Sequence, residues 1–322
     1  MNKSIDSLVS IVVIAFNEEK KISHALSSII NQKSRFDIEI IFVDDGSKDQ
    51  THTIATELLS TYDNKQIVKF ESNRGRGNAR FAGQAIARGK YVGFVDSDIT
   101  LPTNWVDILV NEMESKALDA VSGIAIPDGD CVVISRLADL EPKIRGGSAL
   151  LTGNNLIIKK TVIEETPFRK IPYGDDIRLA WDLERKGFRL ASISDVVVAH
   201  SESKSFKKTM KWQFEQGCDA TKLLFEYRKV RLPDIAWIGT FPLLFAPWVL
   251  ADKPHEGIAF LIFLLFGYIQ LVSLVFLNSR FFLRFSKVRT TYGVFVNSLF
   301  MSSYLIGRYV GIFKPTNKEK GL

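Results

Sequence analysis

The chain has 322 residues, 46% of them hydrophobic, and a formal net charge of +6. That length holds one large domain with an appendage. The mild basic excess suits nucleic acid, an anionic membrane surface or phosphorylated ligands equally, so charge alone selects no partner. Two distant cysteines, Cys131 and Cys218, match no metal spacing and argue against a disulfide framework, pointing to a reduced compartment. Met1 to Ser7 is polar and has no apolar core of a secretory signal, so the expectation is a cytosolic N-terminal domain.

In chain order, Val9 to Phe16 is a continuous apolar run, as in a strand buried on both faces. Ile22, Ala25, Leu26 and Ile29 then repeat at helical spacing. Ile38 to Val43 reads as a second strand. Ser47 and Gln50 form a capping-box pattern before a helix that buries Ile54 and Leu58. Ile67 to Phe70 is a short third strand, Gly77 to Arg88 a helix and Tyr91 to Val95 a fourth strand; Trp105, Ile108, Leu109 and Met113 mark a further amphipathic helix. This alternation predicts an α/β domain over 1–203, a mostly parallel sheet flanked by helices. Ligands of such sheets bind beyond the carboxyl ends of the strands.

Residues 204–232 read as a basic amphipathic juxtamembrane segment, with Lys204, Lys207, Lys208 and Lys211 interleaved with Phe206, Met210, Trp212 and Phe214. Residues 233–322 read as a membrane region. The runs 235–251 and 258–277 are nearly free of charge, and the second is long enough for a hydrocarbon core of roughly 30 Å. Trp237 and Trp248 sit where interfacial anchors belong. The third apolar segment, 292–313, is either another span or an interfacial helix; basic residues on both flanks favour the latter. The expected location is a multi-pass protein of the cell membrane with its first domain in the cytosol.

Four acidic clusters read as lying just after strands: Asn17-Glu18-Glu19, Asp44-Asp45-Gly46-Ser47, Asp96-Ser97-Asp98 and Gly174-Asp175-Asp176. One acidic pair is ordinarily a helix cap or a solvated turn. Four, beside the glycine-rich basic loop Asn73 to Arg80, point to a shared site. In this order VSIVVIAFNEE (9–19), FVDDGSKDQT (42–51), NRGRGNAR (73–80), FVDSD (94–98), TGNN (152–155), GDD (174–176) and His200 resemble the family 2 glycosyltransferases of GT-A fold.

The resemblance implies an inverting transfer of sugar from a nucleotide-diphospho-sugar donor, with Mg²⁺ or Mn²⁺ as cofactor. Asp96 and Asp98 resemble the family's Asp-x-Asp motif, in which carboxylates hold a divalent cation against the donor diphosphate. His200 resembles a residue that completes the metal shell; imidazole suits Mn²⁺ better than Mg²⁺. Phe16, Glu18 and Asp45 resemble the nucleotide pocket, and Ser97 lies inside the motif that faces the donor. Arg74, Arg76 and Arg80 lead into a helix N-terminus, where phosphate binds well; a solvated basic face is the plainer alternative. Asp176 resembles the catalytic base, with Asp175 as its competitor for that role and as a helix cap. Asp44 reads as structural, fixing the turn at Gly46. The implied acceptor is a lipid-linked saccharide at the membrane surface, the implied partners include membrane lipids, and no nucleic acid is expected. Three alternatives stand beside this: a polyprenyl-phosphate sugar transferase, a non-catalytic nucleotide-sugar-binding membrane protein, and a nucleotidyltransferase.

Overall fold

Strands Leu8–Ala15 (β1) and Asp37–Asp44 (β2) are apolar on successive residues because both faces of the sheet are covered. The computed structural model describes residues 8–127, 151–172, 174–201, 206–230, 232–238, five positions between 261 and 268, and 291–313. These fall into two compact units dividing near residue 203.

In the first unit β1 is followed by helix Ile22–Ile30 (α1), β2, helix Thr51–Leu59 (α2), strand Lys65–Lys69 (β3) and helix Arg76–Ile86 (α3). Strands Tyr91–Asp96 (β4) and Ile99–Thr100 (β5), helix Trp105–Ser115 (α4) and strand Ala120–Pro127 (β6) come next. Strand Asn155–Lys159 (β7), helices Lys160–Glu165 (α5) and Asp175–Arg185 (α6) and strand Leu190–His200 (β8) complete it. The sheet order is β3-β2-β1-β4-β7-β6-β8-β5. Its first four strands are parallel, but β7 runs antiparallel to both β4 and β6, and β5 antiparallel to β8. The sheet is thus mixed, and the expected mostly parallel arrangement is confined to the β3-β2-β1-β4 half and the β6–β8 pair.

Successive strand residues enter opposite layers. Ile11 and Val13 pack with Ile22, Leu26, Trp105 and Leu109 on one side. Val12 and Ile14 pack with Ala79, Leu179 and Leu183 on the other. At roughly 1.5–3 kcal/mol for each large apolar side chain removed from water, these two layers dominate the unit's stability. Trp105, fully buried, donates its Nε1–H to Asn155 Oδ1 at 2.6 Å, pinning α4 to β7.

The capping box expected at Ser47 and Gln50 does not form. Helix α2 starts at Thr51, whose N–H is held by Asp49 Oδ1 at 3.0 Å, while Ser47 Oγ accepts from the Asn17 N–H at 3.0 Å. The serine joins two strand-end turns instead of closing its own helix.

In the second unit, helix Phe206–Tyr227 (α7) and helix Thr291–Phe313 (α9) lie side by side, with helix Leu232–Ile238 (α8) against α7. Ser303 Oγ donates to Met210 O and Thr221 Oγ1 to Arg308 O, both at 2.8 Å, so α7 and α9 run in the same direction. Small residues allow the approach: a Cβ on Gly307 would come 2.1 Å from Phe214 O, and one on Gly217 2.0 Å from Tyr304 O. Buried Arg308 pairs with buried Asp234 at 2.6 Å and lies over the Trp237 ring at 4.5 Å. The segment read as a third span or an interfacial helix forms a helix packed along α7, whose Lys207, Lys208 and Lys211 are exposed. Among the described residues no helix is long and apolar enough to cross a membrane. The expected spans 235–251 and 258–277 lie almost wholly outside the described residues.

Candidate active site

Three of the four acidic clusters stand at the carboxyl ends of adjacent parallel strands β2, β1 and β4. The turns after β1 and β2 are laced together. Asn17, at a left-handed φ of 55°, accepts from the Lys48 N–H at 2.8 Å, and the Glu18 N–H donates to Thr51 Oγ1 at 2.8 Å. Phe16 is left exposed and Glu18 is half-buried beside Lys21, 3.1 Å away. Burial raises the Glu18 carboxyl pKa above its ordinary value, against the pull of Lys21.

Asp44 is fully buried; its Oδ1 accepts from the Ser47 N–H at 2.9 Å and fixes the turn at Gly46, whose φ is 78°. Asp45, expected to contact nucleotide, is turned inward. Its carboxylate accepts from the Arg74 N–H (2.7 Å), the Gly75 N–H (2.9 Å) and Asn73 Nδ2 (2.9 Å). In this structure it anchors the glycine-rich loop. Burial raises its pKa, although the same backbone donors oppose the shift.

That loop then docks on the stretch before α6. The Gly77 N–H donates to Ile171 O at 3.2 Å, and a Cβ on Gly75 would meet Pro172 Cα at 2.4 Å. This docking carries Gly174-Asp175-Asp176 to the site, since the cluster opens α6 after a loop and not after a strand as its sequence suggested. Arg74 and Arg76 are exposed, with Arg74 stacked over Phe70 at 4.8 Å.

Arg80 departs from its phosphate-binding expectation. It is 2% exposed, Nη1 donating to Asp175 Oδ2 at 2.5 Å and Nη2 to Asp96 Oδ1 at 2.7 Å. Its guanidinium faces the Phe168 ring at 5.5 Å and lies against Gly153, where a Cβ would be 2.8 Å from Arg80 Cζ. Burial works against its charge, but Asp175, Asp96 and Asp176 outweigh burial and raise its pKa. The Thr152–Asn155 stretch, whose role was not legible in the sequence, thus supplies the space for this guanidinium.

The consequence is a division of labour between two neighbouring carboxylates. Asp175 is fully buried and held by Arg80. Asp176 is partly exposed in the first turn of α6 and accepts from the Ile177 N–H at 2.9 Å. Both benefit from the positive end of the helix.

Strand pairing brings His200 to the Asp-x-Asp turn: it lies opposite Ile99 in the β5–β8 ladder, and its Nε2 is 3.2 Å from Asp98 Oδ2. Lys21 Nζ is 3.9 Å from the same oxygen, a contact with no clear sequence signal beyond its spacing from Glu18. Ser97 is buried, its N–H donating to Ile14 O at 3.2 Å, so its backbone ties the turn to β1. The expected trio Asp96, Asp98 and His200 is not gathered as one shell. Among the described residues no group of three or more His, Cys, Asp or Glu side chains is placed to hold a metal, and Asp96 is turned to Arg80. By chemistry the two carboxylates suit a hard divalent cation, and the imidazole suits Mn²⁺ better than Mg²⁺. Burial raises the Asp96 carboxyl pKa, against the pull of Arg80 and Arg76.

Residues 10–168 match the family described as Glycosyl transferase family 2. That match spans just under half of the chain and is to a family 2 glycosyltransferase domain. Glycosyltransferase AglE of Haloferax volcanii is 26% identical over 222 residues, covering 65% of this chain and 71% of that protein. A dolichyl-phosphate beta-glucosyltransferase of Dictyostelium discoideum is 34% identical over 132 residues, only 37% of this chain and 40% of that one. Among solved structures, the mannosyltransferase PcManGT of Pyrobaculum calidifontis, in complex with GDP-Man and Mn²⁺, superposes with a TM-score of 0.62 at 19% identity, over 94% of this chain and 86% of that one. At that identity the likeness concerns the fold of the glycosyltransferase. The family match ends before α6, so Asp175, Asp176 and His200 rest on their place in the structure.

Proposed function

We propose that this glycosyltransferase moves a sugar from a nucleotide-diphospho-sugar to a lipid-linked acceptor with inversion, at the cytosolic face of the cell membrane. The observation that carries the reading is the partly exposed Asp176 carboxylate at the start of α6, beside a buried Asp175 that Arg80 ties to Asp96 of the Asp-x-Asp turn. A donor diphosphate then lies over the turn of Asp96 and Asp98 and beside the exposed Arg74 and Arg76. Phe16 and Glu18, at the end of β1, border the nucleoside, and the Ser97 turn closes the same pocket.

Asp96, Asp98 and His200 would hold Mg²⁺ or Mn²⁺, which supplies charge neutralisation for the leaving nucleotide diphosphate. Asp176 takes the proton from the acceptor hydroxyl as that oxygen attacks the anomeric carbon and the bond to the diphosphate breaks. Asp175, fully buried and paired through Oδ2 with Arg80, is poorly placed to be that base. The apolar runs 235–251 and 258–277 support a membrane attachment, and the exposed lysines of α7 suit anionic headgroups.

The test is nucleotide diphosphate release over a panel of nucleotide sugars, with Mn²⁺ or Mg²⁺ and either lipid-linked saccharide or polyprenyl phosphate. Metal-dependent release with one acceptor names donor and acceptor class together. Turnover on polyprenyl phosphate would move the acceptor to the kind named for the Dictyostelium relative. A chain truncated after Arg231 should leave the membrane fraction; one that still pellets places the attachment in the basic segment.

A further inference from the structure

Arg80 touches both Asp96 and Asp175, and its surroundings are built for it. Its guanidinium reaches Asp96 Oδ1 at 2.7 Å and Asp175 Oδ2 at 2.5 Å, at 2% exposure. Gly153 leaves it room, and Phe168 covers one face. Asp96 ends β4, on the donor side. Asp175 opens α6, and Asp176 follows it directly.

A buried guanidinium shared by two carboxylates has a definite consequence. The net hold on one carboxylate rises when the other is neutralised, because the repulsion between the two carboxylates, weakly screened in the interior, is then removed. Anything that draws Asp96 away from Arg80 strengthens the hold on Asp175, and removal of the Asp175 charge strengthens the hold on Asp96. Asp96 is also the carboxylate that a donor-bound cation would recruit.

We infer that Arg80 is a positioning residue that couples occupancy of the donor diphosphate site, through Asp96, to the anchoring of α6 and hence the placement of Asp176. It competes for Asp96 while the donor site is empty. Once Asp96 is drawn to a donor-bound cation, the guanidinium is left to Asp175 and fixes the start of α6 for proton abstraction. The inference rests on the nucleotide-sugar reading above.

The experiment compares wild type, Asp175→Asn and Arg80→Met/Asp175→Asn. Affinity for GDP and UDP in the presence of Mn²⁺ is measured by calorimetry, and the unfolding midpoint by thermal denaturation. With Asp175 neutralised, Arg80 holds Asp96 more tightly, so Asp175→Asn should bind the nucleotide roughly fivefold or more weakly. The double variant removes the competitor and should recover the wild-type affinity. In turnover, both variants lose the anchor of α6 and should fall in kcat by on the order of a hundredfold, with Arg80→Lys recovering part of it. Equal nucleotide affinity in all three chains, with only the midpoint falling, would make Arg80 a packing residue and overturn the inference.

Wild type that binds neither nucleotide would instead count against the nucleotide-sugar reading. Arg80 is then decided on unfolding midpoints alone. Asp96→Asn and Asp175→Asn should be non-additive with Arg80 present and additive with Arg80→Met; additivity in both backgrounds overturns the coupling.

Discussion

Glu39 lies near the amino end of β2, at the opposite end of the strand from the site, and is fully buried. Its carboxylate accepts from Ser10 Oγ (2.5 Å), Gln66 Nε2 (2.7 Å), the Arg88 N–H (3.0 Å) and Arg88 Nε (2.6 Å). Burial alone would raise its pKa; these donors together outweigh burial and hold it below its ordinary value. A carboxylate depressed in the folded state adds stability that is fully present above the unfolded pKa. That stability is lost as the pH falls through the folded value.

Replacing Glu39 by Ala removes charge-assisted hydrogen bonds worth about 1.5–3 kcal/mol each at the upper end. Two facts reduce the total. The Arg88 side chain is 60% exposed, so water takes over much of its partnership. Ser10 Oγ still accepts from the Arg88 and Gly89 N–H groups, at 3.1 and 2.8 Å. A net loss of about 2–4 kcal/mol is expected at neutral pH. Urea unfolding of wild type and Glu39→Ala from pH 7 down to pH 3 measures it. The gap should be full at neutral pH and should narrow once the pH falls below the ordinary carboxylate range. A gap that stays constant with pH, or that is below about 0.5 kcal/mol throughout, would refute the reasoning.

Two further substitutions probe the packing around the site and in the second unit. Gly153→Ala places a Cβ 2.8 Å from the Arg80 guanidinium; it should cost about 1–3 kcal/mol of stability and lower turnover by a larger factor than nucleotide affinity, read from kcat and a binding isotherm. Arg308→Met leaves Asp234 buried without its cation and should destabilise the second unit by about 3–5 kcal/mol. Much of that should return in Asp234→Asn/Arg308→Met, as followed by thermal unfolding.

Elements whose residues report their own burial were legible from the sequence. The runs at β1 and β2 and the spacing of Ile22, Leu26 and Ile29 place strands and helix within a residue or two. The antiparallel β7 was not legible, because a five-residue apolar strand carries no mark of its direction. Ser47 was misread for a related reason: a hydroxyl before a helix has the same appearance whether it caps that helix or, as here, accepts from Asn17 across two turns.

The acidic turns after β1, β2 and β4 could be located because strand ends are where such sheets bind ligands. Arg80 reads in the sequence as a phosphate ligand, and the structure places it elsewhere. An arginine in a glycine-rich loop suits phosphate, and only the docking of that loop on Ile171 and Pro172 turns it toward Asp175 instead. His200 was named only from resemblance; the β5–β8 pairing, about a hundred residues apart in sequence, is what brings it to Asp98.

The most direct measurement is metal-dependent nucleotide diphosphate release by wild type and Asp176→Asn, run beside Mn²⁺-dependent nucleotide binding by both. If Asp176 is the base, the variant binds nucleotide as wild type does and loses transfer by a factor on the order of 10²–10⁴. Transfer retained by Asp176→Asn would contradict the account and move proton abstraction to another group.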